Sequence, residues 1–275
     1  MRTVGLALLL AVVLAVAPAA GGDGGPSPGA LTGGTGVVAP GGISRYVALN
    51  AGSYTVLAHV AVADGRVLRY RTLPGAYGIP VVTGDGTTGG MAADGETLVL
   101  AAFSSPPGPG ANSMFAVVAT GRLRVTQTVL VQGSFSFDAL SPDGSTLYLI
   151  QYLSTRDFTR YRVRAYDLST RKLVPGAIVD RREPDEQMHG FPVTRASTRD
   201  GGWAYTLYGR DADHAFVHAL DTRHSVARCI DLPWRVGRDL GVRMTLRGTR
   251  LVLTKRSGGR RLGTVDTRTF TVERA

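Results

Sequence analysis

FDALSPDGSTLYLIQY, from Phe137 to Tyr152, sets two apolar runs on either side of a tight turn. Pro142 presets a turn backbone, Asp143 can accept bonds from the amides that follow, and Gly144 tolerates a positive φ. Variants of the stretch return along the chain: GMAADGETLVLAAF from Gly90, RASTRDGGWAYTLY from Arg195 and MTLRGTRLVLTK from Met244. Their turns recur at roughly 50 residues, a spacing typical of propeller blades. A second series follows them: FAVVATGRLRV, VRAYDLSTRKLV, FVHALDTRHSVA and LGTVDTRTFTV. The earlier stretch TVLAHVAVADGRVLRY belongs to this second series and is preceded by ISRYVALNAG, so the chain reads as five units of four short strands.

The second strands, such as TLYLIQYL, TLVLAAF and WAYTLY, are apolar on both parities and need cover on both faces. The fourth strands alternate. In RLRVTQTV, Arg122, Arg124, Thr126 and Thr128 share one side, with Leu123, Val125 and Val129 on the other. Burial that falls from inner to outer strand is what sheets stacked around an axis produce. The expected fold is therefore an all-β propeller of four-stranded antiparallel blades, five in number, with six or seven as the alternatives.

The pair SPDGSTLYL and AYDLSTRKL resembles the repeats of bacterial WD40-like and YVTN-type β-propeller proteins from Ile43 onward. A Trp-Asp pair closing each unit and an upstream Gly-His, the marks of true WD40 repeats, are missing. The resemblance implies architecture and leaves the role open. Many propellers complete one blade with strands from both chain ends. Here the last unit has four strands of its own, so either the ring closes by packing alone or the first unit is miscounted.

The start, MRTVGLALLLAVVLAVAPAA, has the order of a secretory signal: Arg2, an apolar run from Val4 to Val16, then Ala17, Pro18 and Ala19. Residues 1–20 are read as that signal, an uncleaved anchor being the alternative, 21–42 as a Gly/Pro-rich linker and 43–275 as the propeller. After cleavage no membrane span is expected, and the protein is placed outside the cytoplasm. Cys229 is the only cysteine, which excludes an internal disulfide; it reads as a small buried side chain. The formal charge of +10, carried almost wholly by arginine, suits anionic partners such as an acidic envelope surface, and also simple solubility.

In a four-stranded meander the second-to-third loops and the connectors between units share one pole. Here those segments are long and polar, and binding residues collect on such loops. Four acids lie in or just before innermost strands: Asp85, Asp138, Glu186 and Asp239. With Arg181, Arg182 and His189 they form the candidate binding set at the channel mouth. Crowded carboxylates could coordinate calcium, although no cofactor is required by the sequence. They could instead supply an acid and a base to a sugar or lactone. The plain alternative is turn acids paired with neighbouring arginines. In RDADHAFVH, His214 and His218 stand about 13 Å apart on an extended strand, too far to share one metal. Lys255, Arg256, Arg260 and Arg261 gather on one hairpin as a candidate anion site. No aromatic is interleaved there, which argues against nucleic acid.

No GxSxG, HExxH or GxxxxGK occurs in the chain. Two functional readings remain. The first is an exported, non-enzymatic binding or scaffold propeller, with an unknown protein or a small polar or anionic ligand as partner. The second is a lactonase-like or glycoside-processing hydrolase built on the channel carboxylates.

Overall fold

A computed structural model describes residues 29–103, 111–154, 156–185, 187–210, 214–236 and 241–275. Every regular element among them is a strand. In chain order they are β1 (Ala30–Leu31), β2 (Val37–Val38), β3 (Ser44–Ala51), β4 (Tyr54–Ala61), β5 (Val67–Pro74), β6 (Tyr77–Pro80), β7 (Thr97–Ala102), β8 (Asn112–Ala119) and β9 (Arg124–Gln132). Then come β10 (Phe135–Leu140), β11 (Thr146–Tyr152), β12 (Tyr161–Asp167), β13 (Lys172–Leu173), β14 (Phe191–Ser197), β15 (Trp203–Gly209), β16 (Phe216–Asp221) and β17 (Val226–Asp231). The last four are β18 (Val242–Arg247), β19 (Arg250–Lys255), β20 (Arg261–Asp266) and β21 (Val272–Arg274). They form five antiparallel meanders: β2–β5, β6–β9, β10–β13, β14–β17 and β18–β21, with β1 added beside β6. The fold is a β-propeller of five sheets.

The cause lies in how the strands are covered. In β7, β11 and β15 the central residues are buried on both parities, as expected for sheets sandwiched between sheets. In β9, Arg124, Thr126 and Thr128 are exposed while Val129 is fully buried. Four apolar clusters lie between successive sheets. Leu57 of the first meets Leu98 and Leu100 of the second. Val99 and Phe115 of the second meet Phe137 and Leu149 of the third. Tyr148 and Val163 of the third meet Tyr208 and Phe216 of the fourth. Leu207 and Val217 of the fourth meet Met244 and Leu253 of the fifth. No cluster of the described residues joins the fifth sheet to the first.

The short turns gather near the axis at one pole. The Asp94 amide donates to the Pro142 carbonyl at 3.3 Å, and a Cβ placed on Gly201 would stand 2.9 Å from that of Ala93. The end of the connector at Gly190 and the hairpin of Arg256 stand together at the other pole, because Asp85 bonds at once to Val193 and to Arg256.

One boundary is corrected. The linker assigned to 21–42 ends earlier, since Ala30 and Leu31 pair with Pro80 and Ile79, and Val37 and Val38 with Tyr46 and Arg45. The first unit was therefore one strand short: its inner strand is β2, upstream of Ile43. Gly36 permits this approach, for a Cβ there would sit 2.0 Å from the Tyr46 carbonyl oxygen. The segment read as a signal, and 21–28 of the linker, lie outside the described residues.

Candidate functional site

TGDGTTGG, Thr83 to Gly90, interrupts the inner strand of the second sheet. β6 ends at Pro80, and its line resumes at Gly90, whose carbonyl accepts from the Val99 amide at 2.7 Å. Between them residues 81–89 form a small hairpin, with Val81 bridged to Thr88. Its tip crosses the channel: the Gly84 amide donates to the Pro192 carbonyl at 2.8 Å and the Asp85 amide to that of Val193 at 3.2 Å. The Asp85 carboxylate accepts from the Thr83 hydroxyl (2.7 Å), the Thr87 hydroxyl (2.7 Å), the Thr87 amide (3.1 Å) and the Arg256 guanidinium (2.7 Å). Burial alone would raise this carboxyl, but hydrogen bonds from Thr87, Thr83 and Thr194 outweigh it and hold the pKa below the ordinary value. The hairpin is thus a strut from the second sheet to the fourth and fifth. It spans the channel on the side of the Arg256 hairpin.

Asp138, on β10, is buried and engaged by Arg195 of β14, which donates to both its carboxylate and its carbonyl. Arg195 also donates from Nε to the Thr206 hydroxyl at 2.9 Å. Register continues this polar row across the fourth sheet, from Arg195 to Thr206, His218 and Cys229. His218 is buried, and that burial, with help from Arg195 and against the pull of Asp138, brings its pKa down to about 4. Burial likewise pushes Tyr152 up to about 12 and holds Tyr208 well above the usual phenol range. Asp138 Oδ2 and His218 Nε2 are buried with no hydrogen-bond partner among the described residues.

Below the strut, at the short-turn pole, lies a cavity of about 650 Å³ lined by the first four sheets. Its wall includes Val38 of the first, Ala93 of the second, the Asp138–Arg195 pair and Arg199 with Trp203 of the fourth. Arg199 is exposed and has no carboxylate partner among the described residues. The cavity joins a mixed lining of apolar and hydroxyl side chains to a surplus of positive charge, the Asp138 charge being offset by Arg195. The size suits a small molecule.

The structure scatters the expected mouth residues. Asp85 and Asp138 do face the channel region, each closed by an arginine that is distant in sequence. Glu186 and Asp239 lie outside the described residues. Arg182 does not line the mouth: it clamps Asp180 at 2.6 Å and donates to the Cys229 carbonyl on β17, an outermost strand. Burial opposes ionisation of Asp180, but bonds from Arg182 and the Cys229 amide overcome it and bring the pKa down to about 2. Arg181 and His189 are exposed, and the His189 carbonyl accepts from Arg210 at 2.9 Å. On the basic hairpin Arg256 belongs to the strut, whereas Lys255, Arg260 and Arg261 are exposed without a carboxylate partner among the described residues. No group of three or more His, Cys, Asp or Glu side chains suited to a metal occurs among the described residues. Sequence reasoning missed Arg195 and Arg199. Arg195 pairs with a residue 57 positions away, and no local signal marks that.

No family model matches the chain, and no curated protein matches it. Among solved structures it is similar to hydrazine synthase of Kuenenia stuttgartiensis, at 16% identity over 84% of this chain and 75% of that one, with a TM-score of 0.45. It is similar to a Mycobacterium tuberculosis puromycin-hydrolyzing peptidase at 20% identity, over 84% of this chain but 36% of that one, TM-score 0.45. The Dos1 propeller is similar at 10% identity, over 86% and 56%, TM-score 0.45. Scores at this level leave the fold to rest on the strand pairing described above.

Proposed function

We propose that the protein is an exported binding module that takes a small polar or anionic ligand into the cavity at the short-turn pole. One observation carries this: Asp85 and Asp138 are each neutralised by an arginine, while Arg199 stands without a counter-charge on the wall of a cavity of about 650 Å³. A hydrolase of the two-carboxylate kind needs a free acid and base facing one opening. Neither described carboxylate is free. The strut spans the channel on the side of the Arg256 hairpin, and the cavity lies on its other side, which favours entry from that end. The secretory order of the first twenty residues supports a place outside the cytoplasm, and the WD40-like and YVTN-type repeat pattern is compatible with that role.

The test is a thermal-shift panel of inorganic phosphate, small carboxylates, sugars and lactones on the mature chain. A ligand present at a hundred times its dissociation constant adds about 2.7 kcal/mol. For a domain of this size that is a rise of about 5–11 °C. Arg199→Glu and the cavity-filling Ala93→Trp should abolish it. A flat panel would refute the proposal, as would a shift that both variants leave intact.

A further inference from the structure

One face of the first sheet packs on the second through Tyr46, Ala48, Leu57 and Leu73. Strand alternation puts the remaining side chains on the other face, and the register reads them off in rows. One row is Val38, Arg45, Val60 and Val67; the next is Val47, Ala58 and Tyr70; then Leu49, Val56 and Thr72. Tyr54 lies beyond, opposite Ala51. Arg45 is the one charged residue among them.

This is the kind of surface that elsewhere in the molecule receives the next sheet. Here no core cluster of the described residues brings a second sheet onto it; Val47, Ala58 and Val60, themselves buried, form a small cluster at its centre, and the residues around them are open. Leu49 is 44% exposed, Tyr54 51%, Val67 53%, Val38 54% and Tyr70 70%. The chain's own fifth sheet cannot match it. The fifth sheet spends its apolar side, Val242, Met244, Leu251 and Leu253, on the fourth. By alternation and register its other side carries Arg243, Thr245, Arg247, Arg250, Val252 and Thr254, with Val252 the one apolar residue among these six.

We propose that this face of the first sheet is the contact surface between two copies of the chain. An apolar sheet face is covered best by another, and an identical one is always at hand in a two-fold pair. A two-fold axis running across the strands places the Arg45 end of one sheet over the Tyr54 end of its mate, which keeps the two arginines apart. Strands of eight residues span about 26 Å and three of them about 14 Å, so the pair buries on the order of 1,000 Å² in total. That is the low end of specific interfaces and fits a reversible dimer in the micromolar range. Each copy carries a formal charge of +10, so the bodies repel while the contact attracts. Dimerisation should therefore strengthen with added salt, contrary to an interface held by ion pairs.

Sedimentation velocity on the mature chain from about 1 to about 100 µM tests this. The expected result is a monomer–dimer equilibrium that shifts toward dimer as salt rises. Tyr70→Glu together with Leu49→Glu should weaken it at least tenfold. Leu130→Glu, an equally exposed apolar site on β9 and away from this face, should leave it unchanged. If the double variant folds poorly, Thr72→Arg at an exposed position of the same face serves in its place. A chain that stays monomeric at 100 µM overturns the proposal, as does a dimer indifferent to Tyr70, Leu49 and Thr72, or one broken equally by Leu130→Glu.

Discussion

Replacing Arg195 with methionine keeps most of the side-chain volume and removes the charge that faces Asp138. In the folded protein the Arg195 side chain is 8% exposed and that of Asp138 2%, so water cannot take over the lost contacts. The carboxylate would be left buried with one oxygen that already has no partner. The Asp138 carbonyl and the Thr206 hydroxyl would each lose a bond as well. Breaking a buried pair from one side costs about 3–5 kcal/mol, and for a domain of this size each kcal/mol lowers the melting temperature by about 2–4 °C. Arg195→Met should therefore melt on the order of 10–15 °C below the parent in calorimetry. The double variant Asp138→Leu, Arg195→Met removes the stranded charge and should recover most of that loss. An Arg195→Met protein within about 1 kcal/mol of the parent, or a double variant less stable than the single one, would contradict a buried pair at this position.

Three further outcomes follow from other parts of the molecule. His218 is neutral when folded, with its pKa brought down to about 4, whereas the unfolded chain takes up a proton below its ordinary value of 6.5. Its stabilising contribution is complete above 6.5 and falls as pH drops from there toward 4, by at most about 3 kcal/mol; urea titrations should show this slope, and His218→Leu should remove it. Asp85→Ala strands the Thr83 and Thr87 donors and should cost about 3 kcal/mol by urea denaturation; Asp85→Asn keeps an acceptor and should cost about 1, and equal losses would contradict the strut geometry. Gly90→Ala puts a Cβ 2.4 Å from the Val99 carbonyl oxygen at a φ of +101°, so its melting temperature should fall by several degrees, and an unchanged one would show that the strand line does not resume there.

The turns and the parity of apolar residues carried the architecture, because each repeat states its own local rule. Asp143 and Asp94 sit in the short turns as read: Asp143 accepts from Ser141 and Ser145, and Asp94 from the Glu96 amide. The first sheet's inner strand was hidden for a physical reason. Val37 and Val38 are two residues in a Gly- and Thr-rich stretch, too short to show a period, and they are held by backbone pairing. The strut was hidden in the same way, since glycine-rich sequence reads as loop whether or not its amides are bonded. Asp138 was recognisable as an inner-strand acid, but its arginine comes from another repeat. Pairing between repeats leaves no trace in either one. The arginines beside Glu186 in sequence were the natural guess for such partners, and Arg182 instead holds Asp180.

The five sheets stand around a channel that a hairpin of the second sheet crosses. Hydrogen exchange of the segment Val82 to Gly89 tests that most directly. As free loop it would exchange within seconds, whereas here the amides of Val82, Gly84, Asp85, Gly86, Thr87 and Gly89 are all bonded, two of them to the fourth sheet. Protection of Gly84 and Asp85 comparable to that of the core strands is the predicted result. Complete exchange of both amides at the rate of an exposed peptide would contradict it.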